Sequence, residues 1–149
     1  MRRLAVPVLS LLVGCSVTPT TRTVDPLQFQ KILEGWWDEG NQRDMPTFCN
    51  PDRNLHRHLF SNDGKTVTWE FERAKTRLDG SETKSYRYGI RSATSVSIVL
   101  ELEGETRKDE QGQLLVWELV VVDQAGIFRW RATTFPPGVY NAVWGRRCR

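Results

Sequence analysis

From Trp36 to the end of the chain, apolar and polar residues alternate with a period of two. Gly-, Asn- and Asp-containing turn signals break the pattern at intervals of roughly eight to twelve residues. Successive side chains on a strand point to opposite faces, so this pattern commits the chain to sheet with one wet and one buried face. Strands are expected near 36–39, 55–61, 65–74, 84–92, 95–104, 113–122, 127–134 and 140–146. Val67, Trp69 and Phe71 form one stretch of the apolar face. Tyr86, Tyr88, Ile90, Val96, Ile98, Leu100 and Leu102 continue it, followed by Leu115, Trp117, Leu119, Val121, Phe128, Trp130 and Ala132. Thr66, Thr68, Glu70, Arg87, Arg91, Glu101, Glu118, Arg129 and Arg131 alternate with them and are expected to face water. Eight strands with little helix between them imply an antiparallel meander, and a single apolar face on so long a sheet favours closure. The expected fold is all-β, a small eight-stranded antiparallel up-and-down barrel. At the hairpin 123–126, a four-residue loop pairs Val122 with Ile127, Leu119 with Trp130, and Glu118 with Arg131 on the wet face.

The segment before the strands has a different character. Arg2 and Arg3 precede an apolar run from Leu4 to Val13, well short of the roughly 20 residues a membrane-spanning helix needs. Its end, Leu12-Val13-Gly14-Cys15, resembles a bacterial lipobox. That resemblance implies cleavage before Cys15, a diacylglycerol on its thiol and a third acyl chain on its new amine, enough apolar chain for firm anchoring. Ser16 after the cysteine resembles the sorting signal of outer-membrane lipoproteins in Gram-negative envelopes. Residues 1–14 are then a signal peptide, residues 15–24 a lipidated tether, and residues 25–149 the barrel domain. Within that domain Asp25-Pro26 supplies a helix N-cap and a proline at the first helical position, predicting a short helix that ends near Gly35.

Removing the signal also removes Arg2 and Arg3, so the remaining chain is close to neutral and the whole-chain charge of +3 has no bearing on a nucleic-acid partner. With Cys15 spent on lipid, Cys49 and Cys148 are left in an oxidising compartment, where an even pair is most simply a disulfide. It closes a long loop, worth on the order of 4 to 5 kcal/mol in the chain-entropy model.

"ILEGWWDEG", a short helix leading into Gly35-x-Trp37, resembles the G-x-W that opens the first strand of lipocalin-like barrels, and "LFSNDGKTVTW" resembles their early hairpin. The resemblance runs from about Leu27 to Cys148. It implies a basic residue from the last strand laid over the first-strand tryptophan, a role for which Arg146 or Arg147 is placed.

Candidates for chemistry are few. His56 and His58 share one face of a strand, and the turn "SNDGK" sets which face. A type I′ turn on Asp63-Gly64 pairs Phe60 with Val67 and sends both histidines inward. A type I turn with a Gly64 bulge pairs Leu59 with Val67 and sends them out. The bulge is preferred because it buries Leu55 and Leu59, which leaves the histidines exposed and without catalytic partners. No CxxC, zinc spacing, phosphate loop or nucleophile elbow is present, so no metal, cofactor or enzymatic activity is expected. "EGETRKDEQGQ", from Glu103 to Gln113, reads as a solvated hairpin.

Two functions remain. In one, the barrel mouth binds a small apolar or lipidic molecule, with Trp69, Tyr88, Trp117 and Trp130 as lining residues. In the other, large inward rings fill the barrel and its outside binds a protein, as an envelope factor or an inhibitor resembling the lysozyme-inhibitor lipoproteins.

Overall fold

The computed structural model describes residues 22–149 except 78, 124 and 125. The expected signal peptide, the acylated Cys15 and most of the tether lie outside the described residues. Eight strands follow one short helix, α1 (Pro26–Gln30): β1 (Trp36–Asn41), β2 (His56–Phe60), β3 (Thr66–Thr76), β4 (Glu82–Ala93), β5 (Ser97–Leu102), β6 (Trp117–Asp123), β7 (Ile127–Ala132) and β8 (Val143–Arg147). Each strand pairs with the next in antiparallel fashion, and β8 pairs back onto β1, with Asp38 opposite Arg146 and Gly40 opposite Trp144. The result is the expected closed up-and-down barrel.

One end is plugged. Asp25 caps α1 by accepting the Leu27 N–H at 2.9 Å, and Pro26 begins the helix. A 3-10 turn, Lys31–Leu33, completes the plug, so that Phe29 and Leu33 are buried against Trp37, Ile98, Leu119 and Phe128. The Trp37 indole N–H donates to the Leu33 carbonyl at 3.1 Å. Arg147 lays its guanidinium 5.1 Å from the Trp37 ring and donates to the Ile32 carbonyl. This is the contact that the resemblance implied. Two glycines are required by close approach: a Cβ on Gly35, whose φ is +98°, would lie 2.3 Å from the Arg149 carbonyl oxygen, and one on Gly145 would lie 2.1 Å from the Phe128 ring.

The long connection after β1 folds back over the outside of that strand. Asp38 is 1% exposed, accepts two bonds from Arg53 Nε and one from Arg53 Nη2, and also accepts the Cys49 N–H at 2.9 Å. Cys49 is thereby held beside the end of β8 and is disulfide-bonded to Cys148.

Three expectations are corrected. The β2–β3 register pairs Phe60 with Val67 and His58 with Trp69, so both histidines point inward and Leu59 is 43% exposed. The connection is the five residues 61–65, in which the Ser61 N–H donates to the Thr66 carbonyl and the Gly64 N–H to the Ser61 carbonyl, each at 2.9 Å. Asp63 fixes it by accepting from Ser61 Oγ and the Lys65 N–H. No bulge residue is inserted, so the register stays in the phase that buries the histidines. At the β6–β7 turn, Leu119 pairs with Trp130 and Glu118 with Arg131 as expected, but Ile127 pairs with Asp123. The Gly126 N–H returns to the Asp123 carbonyl at 2.9 Å, and Val122 is displaced outward to 53% exposure. Val96 occupies the tight turn between β4 and β5, where the Thr94 hydroxyl accepts its N–H, and it is 45% exposed.

Candidate functional site

The end opposite the plug is open, and a cavity of about 200 Å³ sits in it. Trp69, Tyr88, Trp117 and Trp130 all line this space, brought together from β3, β4, β6 and β7 by the alternation of each strand. The rings of Trp69 and Tyr88 are 4.8 Å apart, those of Trp69 and Trp130 5.5 Å, and those of Tyr88 and Trp130 6.0 Å. Tyr88 and Trp130 are nearly buried, whereas Trp117 is half-buried at the rim.

Polar groups enter this aromatic wall from positions that the sequence analysis did not single out. Glu39, two residues after Trp37 on β1, turns inward and accepts the Trp130 indole N–H at 2.7 Å. Burial pushes its carboxyl above the ordinary carboxylate range, against the Trp130 bond and the charge of Lys75, which pull it down. Burial, and then the nearby Glu39 charge, likewise push up the Tyr88 phenol. The alternation that places Trp37 inside applies equally to Glu39, so this residue was readable from sequence.

Lys75 was not readable. The β3–β4 register shifts between Glu70 and Lys75, and the lysine ammonium lies 5.2 Å from the Phe71 ring centre and 6.0 Å from that of Tyr86. On the other side of the mouth, Glu105 organises the β5–β6 connection. It accepts from Arg107 Nε and Nη2 at 2.8 and 2.7 Å and from the Trp117 indole N–H at 2.8 Å. Burial pushes the Glu105 carboxyl up, but these bonds prevail and hold it at about 2. The charge run expected to be a plain solvated hairpin therefore carries a structured rim, and Arg107 lies 4.7 Å over Trp117.

A second space of about 260 Å³ adjoins the first, sharing Glu39, Phe71 and Lys75 with it and adding Asp52, Arg53, Asn54 and His56. The His56 ring lies nearly parallel to that of Trp69 at 6.2 Å, and His58 meets both edge-on, its centre 4.2 Å from that of Trp69 and 5.0 Å from that of His56. His58 Nδ1 faces the Leu33 carbonyl at 3.1 Å and, since a carbonyl only accepts, donates there. Burial, with the Lys75 charge, lowers His56 to about 3; burial and His56 lower His58 well below its ordinary value. Both rings are therefore neutral at neutral pH. Among the described residues no group of three or more His, Cys, Asp and Glu side chains is placed to hold a metal ion.

Comparison with protein-family models, with curated proteins and with solved structures gave no match.

Proposed function

We propose that this chain is a lipid-anchored, non-catalytic binding protein of the bacterial envelope, held at the outer membrane through Cys15, whose barrel mouth takes a small and largely apolar ligand. The observation that carries the reading is the cavity walled by Trp69, Tyr88, Trp117 and Trp130 at the one unplugged end of the barrel. Aromatic walls with a few convergent polar groups are the usual composition of small-molecule sites. An anchor on a short polar tether would keep that mouth close to hydrophobic envelope molecules.

Calorimetric titration of the domain bearing Cys15→Ser tests the binding reading, using fatty acids, phospholipids and apolar dyes as probes. Saturable one-to-one binding by at least one of them is expected, and failure of all three classes counts against it. Mass spectrometry of the envelope-extracted protein tests the anchor. The expected product begins at an acylated Cys15, and a soluble product with an unmodified Cys15 would overturn the anchoring.

A second reading is favoured by one dimension. About 200 Å³ lies below the roughly 300 to 1,000 Å³ of common ligand pockets. The half of the barrel around Trp37, Val67, Ile98 and Phe128 is filled by side chains. If no small molecule binds, an envelope protein docking on the barrel's outside or rim becomes the leading reading.

A further inference from the structure

The carboxyl of Glu39 stands inside the mouth without an ion-pair partner among the described Lys and Arg side chains. It accepts the Trp130 indole N–H at 2.7 Å, and the Trp69 indole also favours its ionised form; both are neutral donors. The faces of Trp69, Tyr88 and Trp130 surround the same space, with ring centres 4.8 to 6.0 Å apart. The two cations that line the cavity differ in standing. Arg107 is neutralised by its two bonds to Glu105. Lys75 is exposed, makes no hydrogen bond or ion pair with the described residues, and rests its ammonium over Phe71 and Tyr86. An acid with no ion pair in contact, acted on only from a distance by Lys75 and set among aromatic faces, is the chemistry that attracts an organic cation. The chain's own lysine already uses the outer part of that wall in this way.

From these contacts we infer that the mouth selects a small organic cation, an alkylammonium whose charged head meets Glu39 and the faces of Trp69, Tyr88 and Trp130 while its apolar part runs toward Leu102 and Trp117 at the rim. An anionic amphiphile would bring a like charge against Glu39 in a poorly solvated space, and a neutral one would leave the acid uncompensated. Burial already raises the Glu39 carboxyl above its ordinary range, so a cation that stabilises its ionised form recovers part of that cost. Lys75 competes for the same field, and its exposed stem lets it withdraw.

The inference rests on the mouth being the binding site, and the probes separate the two. Hexyltrimethylammonium, 1-heptanol and heptanoate carry comparable chains with positive, neutral and negative heads, and each is titrated calorimetrically into the purified protein. The cation is expected to bind on the order of tenfold more tightly than the alcohol, with the anion weakest. Glu39→Gln should abolish that preference, lowering affinity for the cation about tenfold relative to 1-heptanol. Lys75→Gln, a change at an exposed side chain, should tighten cation binding several-fold and supplies the test if Glu39→Gln fails to fold. Equal or tighter binding of 1-heptanol or heptanoate, a cation preference that survives Glu39→Gln, or cation affinity unchanged by Lys75→Gln would each overturn the cation class and leave the mouth as a binding site. Absence of binding by all three would overturn both.

Discussion

The Trp130 indole N–H donates to the Glu39 carboxyl at 2.7 Å, tying β7 to β1 across the intervening β8 inside the barrel mouth. Because this bond pulls the Glu39 pKa down while burial pushes it up, its loss has a sign that can be read directly. Trp130→Phe keeps a ring in place and deletes the donor, so the Glu39 pKa should rise further, as followed by the pH dependence of its carboxyl carbon resonance. The same change should cost about 1 to 3 kcal/mol for the acceptor left unsatisfied. An unchanged or lower pKa would show that the bond is absent in solution.

The two ends of the barrel should respond differently to truncation. Phe128 is fully buried and packs 4.9 Å from Trp37 at the plugged end, so Phe128→Ala should cost about 3 to 5 kcal/mol in urea unfolding. Trp117 is half-buried at the rim. Trp117→Ala should cost about 1 to 2 kcal/mol, because only part of its apolar area leaves water on folding. Equal losses at the two sites would mean that the mouth is as filled as the base.

Acid should destabilise the fold through its histidines. His56 titrates at about 3 in the folded chain against 6.5 in an unfolded one, so the unfolded state binds the extra proton between those values. Stability is then lost as pH falls from 6.5 toward about 3, and His58 acts in the same direction. Glu39 acts oppositely: its raised value means that the folded state keeps a proton above 4.5, a contribution lost as pH rises through the folded value. His56→Phe removes the histidine contribution at that site and should visibly flatten the acid limb of stability against pH. An acid limb unchanged by His56→Phe would contradict the burial of that ring.

The Cys49–Cys148 bond spans 99 residues and holds the connection after β1 against the end of β8. Replacing both cysteines with serine should lower stability by about 4 to 5 kcal/mol, measured without reductant against the parent. Peptide mapping of the untreated protein should recover the two half-cystines together. Free thiols at both positions in protein from an oxidising compartment would count against the pairing.

Legibility of the fold followed how local its determinants are. Strand order, barrel closure and the Leu119–Trp130 register follow from alternation and turn spacing, which are properties of neighbouring residues. The helix start at Asp25-Pro26 is equally local. Burial of Leu55 and Leu59 on one face points His56 and His58 outward, whereas Leu55 precedes β2 and is buried independently of its register, so the histidines are free to face in. Asp38 shows a different limit. Strand phase points it outward, yet it is buried because residues 42–55 fold over it and Arg53 comes to meet it. Within the site, the four aromatic wall residues and Glu39 follow from strand phase. Lys75 and the Glu105–Arg107 rim depend on a register shift and a long connection, neither of which leaves a periodic trace.

Occupancy of the mouth by a small apolar molecule is tested most directly by tryptophan fluorescence of the purified domain during titration with a neutral apolar dye that accepts energy from tryptophan. Trp69, Trp117 and Trp130 line the cavity, so saturable quenching at one dye per chain is expected, with the quenching weakened in Trp117→Ala while the fold persists. Emission that stays constant across the titration, or quenching that rises without saturation and is indifferent to Trp117→Ala, would contradict a binding site in the barrel mouth.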